Sequence, residues 1–188
     1  MKVRSSITPS VAVLAGRRID AQDADVLRFP LAEAEHVAYK IFRCFQQECV
    51  EHLICSAACG ADIIALEAAE KLAIPATLVL PFTSCIFREI SVTDRPGGWG
   101  ERFDHLVALA RDRGGLIELG LDVSDERAFS AANDRIIQIA STTGIYRRLA
   151  FVVWEGLSRG QGDSTAEFLD MALSCGFERR VVLTRREH

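Results

Sequence analysis

The run Leu149-Ala150-Phe151-Val152-Val153-Trp154 constrains this chain more than any other stretch. A strand with one wet face alternates apolar and polar residues. This run does not alternate, so both of its faces must be covered, as in a central strand of a parallel sheet with helices on each side. Short apolar runs at residues 11–15, 53–56, 76–80, 116–119 and 180–184 fit the same sheet. Between the runs, Ala34, Ala38, Ile41, Phe42, Phe45 and Cys49 recur at steps of three and four, which predicts a helix of about five turns with one apolar stripe. Phe103, Leu106, Val107 and Ala110 mark a later helix, and Phe129, Ile136, Ile137 and Ala140 the next. Strands alternating with helices predict a three-layer α/β fold, an open and mostly parallel sheet with helices on both faces.

With 188 residues, 49% of them hydrophobic and 26% charged, the chain is long and apolar enough for a single domain over residues 1–188. Residues 82–100, FTSCIFREISVTDRPGGWG, show no clear period and read as a lid loop. Pro96-Gly97-Gly98 supplies its hinge, and Phe87, Arg88 and Trp99 are the side chains that would close over a planar ligand.

Several classes of function are disfavoured. The net charge of −4 argues against nucleic acid or an anionic membrane as the main partner. No window reaches the roughly 20 apolar residues of a membrane span, and the apolar run of the opening MKVRSSITPSVAVLAG stops at Gly16-Arg17-Arg18, so a cytoplasmic protein is expected. Cys44, Cys49, Cys55, Cys59, Cys85 and Cys175 fall mostly within apolar patterns and read as reduced thiols. Neither they nor the scattered His36, His52, His105 and His188 have metal-ligand spacing, and no cofactor motif is present: both GxGxxG and GxxxxGK[ST] are missing. Arg179, Arg180, Arg185 and Arg186 read as the solvated flanks of a last strand.

In an open parallel sheet, ligands bind at the carboxyl ends of the strands, beside helix N-termini. Three junctions have the right chemistry. The first places Gly16 and Arg17 after the first strand, a close approach next to a planar cation, Arg17 or Arg18, able to grip phosphate or carboxylate. The second, CSAACGAD, offers the small residues Ser56, Ala57 and Gly60, with Asp62 in the first helical turn as a helix-stabilising group or a ligand contact. The third, Gly160-Gln161-Gly162-Asp163-Ser164-Thr165-Ala166-Glu167, sets two glycines and two hydroxyls before a helix, an anion site in principle. Asn133, beside the apolar stripe of its helix, either ties backbone segments together or touches ligand.

Taken together, AGRR, CSAACGADIIALEAAEKLAIPATLVLPF and VVWEGLSRGQGDSTAEFLDMALSCGF resemble the SLOG superfamily. This Rossmann-like group includes the Lonely Guy phosphoribohydrolases, the DNA-processing protein A domain and nucleotide-sensing modules. The resemblance covers most of the chain. It implies a pocket for a nucleotide or nucleotide-derived small molecule formed by Gly16, Arg17, Ser56, Ala57, Gly60, Asp62, Pro81, Phe82, Trp154, Gly160, Gly162, Ser164 and Thr165. Phosphate would sit over residues 160–165 with Arg17, ribose against Glu167 or Asp62, and the base beside Phe82 or Trp154. It also implies a homodimer. Enzymatic members carry PGGxGTxxE with a catalytic glutamate, for which Glu167 is the candidate here. The proline is missing and Glu167 stands one position early, about 100° around the helix, so a binding or sensing role is expected ahead of N-glycosidase chemistry.

Overall fold

The computed structural model of the chain describes residues 8–145 and 147–186. Met1–Ile7, at the start of MKVRSSITPSVAVLAG, and His188 lie outside them. Six strands form one sheet in which every neighbouring pair is parallel: β1 Ser10–Gly16, β2 Val50–Cys55, β3 Ala76–Leu80, β4 Leu116–Glu118, β5 Arg147–Trp154 and β6 Glu178–Leu183. Their order across the sheet is β4-β3-β2-β1-β5-β6. The unalternating run lies in β5, between β1 and β6. Its Leu149, Phe151 and Val153 enter the core on one face, and its Ala150 and Val152 enter the core on the other.

The helices are α1 Ala34–Gln47, α2 Ala61–Lys71, α3 Ser84–Ser91, α4 Trp99–Asp112, α5 Ala128–Ser141 and α6 Ser164–Ser174. The first four cover one face and α5 and α6 cover the other, which gives the expected three-layer, Rossmann-like α/β arrangement. In α1 the buried ridge is Val37, Ile41 and Phe45, with Ala34, Ala38 and Phe42 packed beside it. Phe45 meets Phe151 of β5 edge to face at 5.2 Å, which fixes that helix to the middle of the sheet.

Residues 82–100, expected as a lid loop, instead contain the whole of α3 and the start of α4. Phe87 and Trp99 are core residues, the indole N–H of Trp99 donates to the Pro96 carbonyl at 2.7 Å, and Arg88 faces away to pair with Asp104. Two of the C-terminal arginines have structural partners: Arg180 pairs with Glu48, as does Arg147, joining the starts of β6 and β5 to the end of α1, and Arg186 pairs with Glu33. Among the described residues, no helix is long and apolar enough to cross a membrane.

Gly16 and Gly60 set how closely α2 can approach the end of β1. A Cβ on Gly16 would stand 2.4 Å from Ala61 Cβ and 2.7 Å from the Val153 carbonyl oxygen. Gly60, at φ +98°, faces the backbone of Arg17 and Ile19, where a Cβ would be 2.8 Å from each. Side chains at these positions would push the helix away from the strand, so the glycines first serve helix-to-strand packing.

Candidate functional site

The connections reverse direction between β1 and β5. Segments leaving β1 travel towards β2, while those leaving β5 travel towards β6, and the divergence opens a crevice at the carboxyl ends of the strands. A cavity of about 740 Å³ occupies that position, within the size range of small-molecule sites. Its walls come from the loop after β1 (Arg17 to Arg28), the β2–α2 turn (Ser56, Ala58 and Asp62), α3 with Arg95, one face of α5, and the start of α6. The loop after β1 is folded on Asp20, whose carboxylate accepts from the backbone N–H groups of Arg28 and Phe29 at 3.0–3.1 Å.

Arg17 is buried at the base of this crevice, with 4% of its side chain exposed. Its Nη1 donates to Asp163 Oδ1 at 2.5 Å and its Nη2 to Asp163 Oδ2 at 2.8 Å. Its Nε donates to Glu155 Oε2 at 2.6 Å, and Nη2 also reaches the Leu157 carbonyl at 3.0 Å. The guanidinium is therefore committed to two carboxylates of its own chain. Asp163 is fully buried and caps α6, accepting from the N–H groups of Thr165 at 3.1 Å and Ala166 at 3.4 Å, and from that of Arg159 at 2.8 Å. Burial alone would raise this carboxyl, but the Arg17 guanidinium and the backbone donors outweigh it and hold it well below the usual carboxylate range. The glycine-rich loop is thus wrapped around an internal anion.

Asp62 shows the opposite behaviour. It lines the cavity, 7% exposed, and its Oδ2 accepts from the Ala58 N–H at 3.1 Å. Burial raises its carboxyl from 3.8 to about 7, against the smaller contrary effects of that hydrogen bond and of Arg18. A cavity-lining acid that changes charge near neutrality is a functional-site candidate on physical grounds.

Arg18 and Arg95 also line the cavity, and both pair with one carboxylate, Asp94. The Nε–H of each is closed off from solvent with no acceptor among the described residues. Two guanidinium groups sharing one carboxylate leave surplus positive charge, and the orphaned donors leave hydrogen-bonding capacity unused. Arg159, at the α6 side, is a further cation on the wall.

Of the residues expected at the site, Gly16, Arg17, Ser56, Asp62, Gly162, Ser164, Thr165 and Glu167 lie on the cavity wall. Ala57, Gly60, Pro81 and Phe82 are buried off it, Gly160 is exposed beyond it, and Trp154 lies off it with the Arg17 guanidinium 5.7 Å from its ring centre. Arg18 and Asn133, both candidates from the sequence, also lie on the wall, whereas sequence reading missed Arg95, Asp163 and the exposed ring of Phe129. Pairings such as Arg17 with Asp163 leave no local signal, and Phe129 was counted in the core stripe although it is exposed.

The two aspartates give opposite dependences on pH. Native Asp163 releases its proton more readily than the unfolded chain does. Its contribution to stability is therefore complete above about pH 4 and is lost in acid. At pH 7, Arg17→Met should destabilise the fold by about 3–5 kcal/mol by leaving that carboxylate buried and unpaired, and a urea-denaturation loss below about 1 kcal/mol would contradict the role given to the pair. Native Asp62 retains its proton where the unfolded chain has lost it, so it lowers stability as pH rises from about 4 to 7 and no further above that. Asp62→Asn should match the wild type near pH 4 and exceed it at pH 8, by at most ~4 kcal/mol. Parallel stability curves across this range would show that Asp62 is ionised throughout.

No protein-family model matches the chain, and no curated protein matches it. Its fold is similar to that in the X-ray structure of TM1055, a target of the Northeast Structural Genomics Consortium, with a TM-score of 0.50. The match covers 92% of this chain and 72% of that one at 11% identity, a likeness of α/β fold.

Proposed function

We propose that the chain binds a nucleotide or nucleotide-derived small molecule in the crevice between β1 and β5, as a sensor or signalling module of the SLOG kind. The observation that carries this reading is the pair Arg18 and Arg95, two half-buried cations on the cavity wall that share the single carboxylate of Asp94. A phosphate in the cavity supplies the missing negative charge. Arg159 adds to it, and Gly162, Ser164 and Thr165 form the adjoining wall. Arg17, bound to Asp163 and Glu155, holds the loop in place. Asp62 and Glu167 face the same cavity and are the acceptors available to ribose hydroxyls. Pairing of two copies into a homodimer, one domain each, belongs to the same reading.

A second reading, an N-glycosidase-like hydrolase acting on a nucleoside monophosphate, is favoured by one observation: the Asp62 carboxyl lines the cavity almost wholly buried with a single backbone donor, a setting that favours its protonated form. Proton delivery to a departing base needs such a group, and Glu167 is the second carboxyl on the wall.

Nucleotides and ADP-ribose should raise the melting temperature of the wild type, and Arg95→Ala should weaken that binding by about tenfold or more, since a charge-assisted hydrogen bond is lost. Absence of any shift across mono-, di- and cyclic nucleotides and ADP-ribose would overturn the proposal. Chromatography of the incubated nucleotides separates the two readings. Intact ligand recovered from the complex supports the sensor, whereas free base whose release stops in Asp62→Asn supports the hydrolase.

A further inference from the structure

We propose that the cavity-facing side of α5, formed by Phe129, Ser130 and Asn133, reads a planar heterocyclic base, so that the ligand lies with its base on α5 and its phosphate on the Arg18–Arg95 side. This rests on the nucleotide-binding reading and adds to it the direction of the ligand and the part of the protein that distinguishes a base from a bare sugar phosphate.

Phe129 is 44% exposed although the rest of its helix's apolar stripe, Ala132, Ile136, Ile137 and Ala140, is buried. Leaving an aromatic ring wet sacrifices burial that a flat apolar partner would restore. The ring is not loose. Phe82, only 2% exposed, stands behind it edge to face, with centroids 5.5 Å apart and an interplanar angle of 89°. Two more exposed apolar side chains, Ile90 and Val26, line the same cavity. Three wet hydrophobic groups around one cavity match a ligand with an apolar face, which a phosphate or a sugar does not have.

The polar groups on this wall agree. Asn133 stands four residues after Phe129, on the same side of the helix, and both line the cavity. Asn133 is half-buried on this wall. A carboxamide offers a donor and an acceptor side by side, and a base edge with an adjacent acceptor and donor is its natural complement. Glu126, also on this wall, accepts from exocyclic amines and repels phosphate. The arginines on the cavity wall, Arg17, Arg18, Arg28, Arg95 and Arg159, all stand on other elements, which sets the ligand's orientation.

The test compares AMP and ADP-ribose with ribose 5-phosphate by titration calorimetry on the wild type, Phe129→Leu and Asn133→Ala. Leucine preserves an apolar contact with Phe82 and removes the aromatic face. AMP should bind the wild type more tightly than ribose 5-phosphate. Phe129→Leu should lower AMP affinity by about tenfold, in line with base stacking on an aromatic ring, and leave ribose 5-phosphate unchanged. Asn133→Ala should show the same selectivity and keeps the proposal testable if Phe129→Leu fails to fold. If the variants weaken AMP and ribose 5-phosphate equally, or weaken neither, the α5 wall is wrong while the nucleotide reading stands. If neither AMP nor ADP-ribose binds the wild type, both readings fall together.

Discussion

The buried ion pair between Arg17 and Asp163 is the contact on which the geometry of the crevice depends. Arg17 is the first residue after β1, and its backbone is held on two sides: its N–H donates to the Val153 carbonyl of β5 at 2.8 Å, and its carbonyl accepts from Ala61 at the start of α2 at 3.2 Å. Its side chain then reaches Asp163, which caps α6. One residue thereby joins the four elements that meet where the strand order reverses. Gly16 and Gly60 permit the approach, since a Cβ on either would collide with neighbouring backbone. Such a pair brings two charges out of water and is repaid only when its hydrogen bonds are complete. Here Glu155, Leu157 and three backbone N–H groups complete them.

This arrangement also divides labour among the charges. Asp163 is an internal anion that occupies the donors of the α6 N-terminus, so the glycine-rich loop is a structural wall built from the inside. Asp62 is a carboxyl kept in the cavity at a cost in stability, with a single backbone donor to support its charged form. Two aspartates at the starts of different helices are thus pushed in opposite directions by burial and partners, Asp163 towards its ionised form and Asp62 towards its neutral one. A side chain retained at such a cost is more readily explained by function than by folding.

The sheet was legible in the sequence because burial of both faces of a strand removes its polar alternation, and all six apolar runs became strands with ends moved by a few residues. The segment at 82–100 was not, for a local reason. Helix α3 has only eight residues and buries Phe87 and Ser91 alone, too few positions to show a period. Part of the candidate wall was legible through the junction rule for parallel sheets, which pointed to Gly16, Ser56, Asp62 and residues 162–167. The role of Arg17 was not, because its partner lies 146 residues away. Nor was the role of Phe129, whose spacing fits the buried stripe of α5 while its position near the helix start leaves it at the cavity mouth.

The central claim is that the crevice at the strand-order reversal is a nucleotide site whose cations are Arg18 and Arg95, with Arg17 retained by Asp163. A crystal structure of the protein grown with ADP-ribose tests it most directly. The account predicts ligand density between β1 and β5, with phosphate oxygens on Arg18 and Arg95 and the Arg17–Asp163 pair intact. An empty crevice with ligand elsewhere, or a phosphate taken up by an Arg17 that has left Asp163, would contradict it.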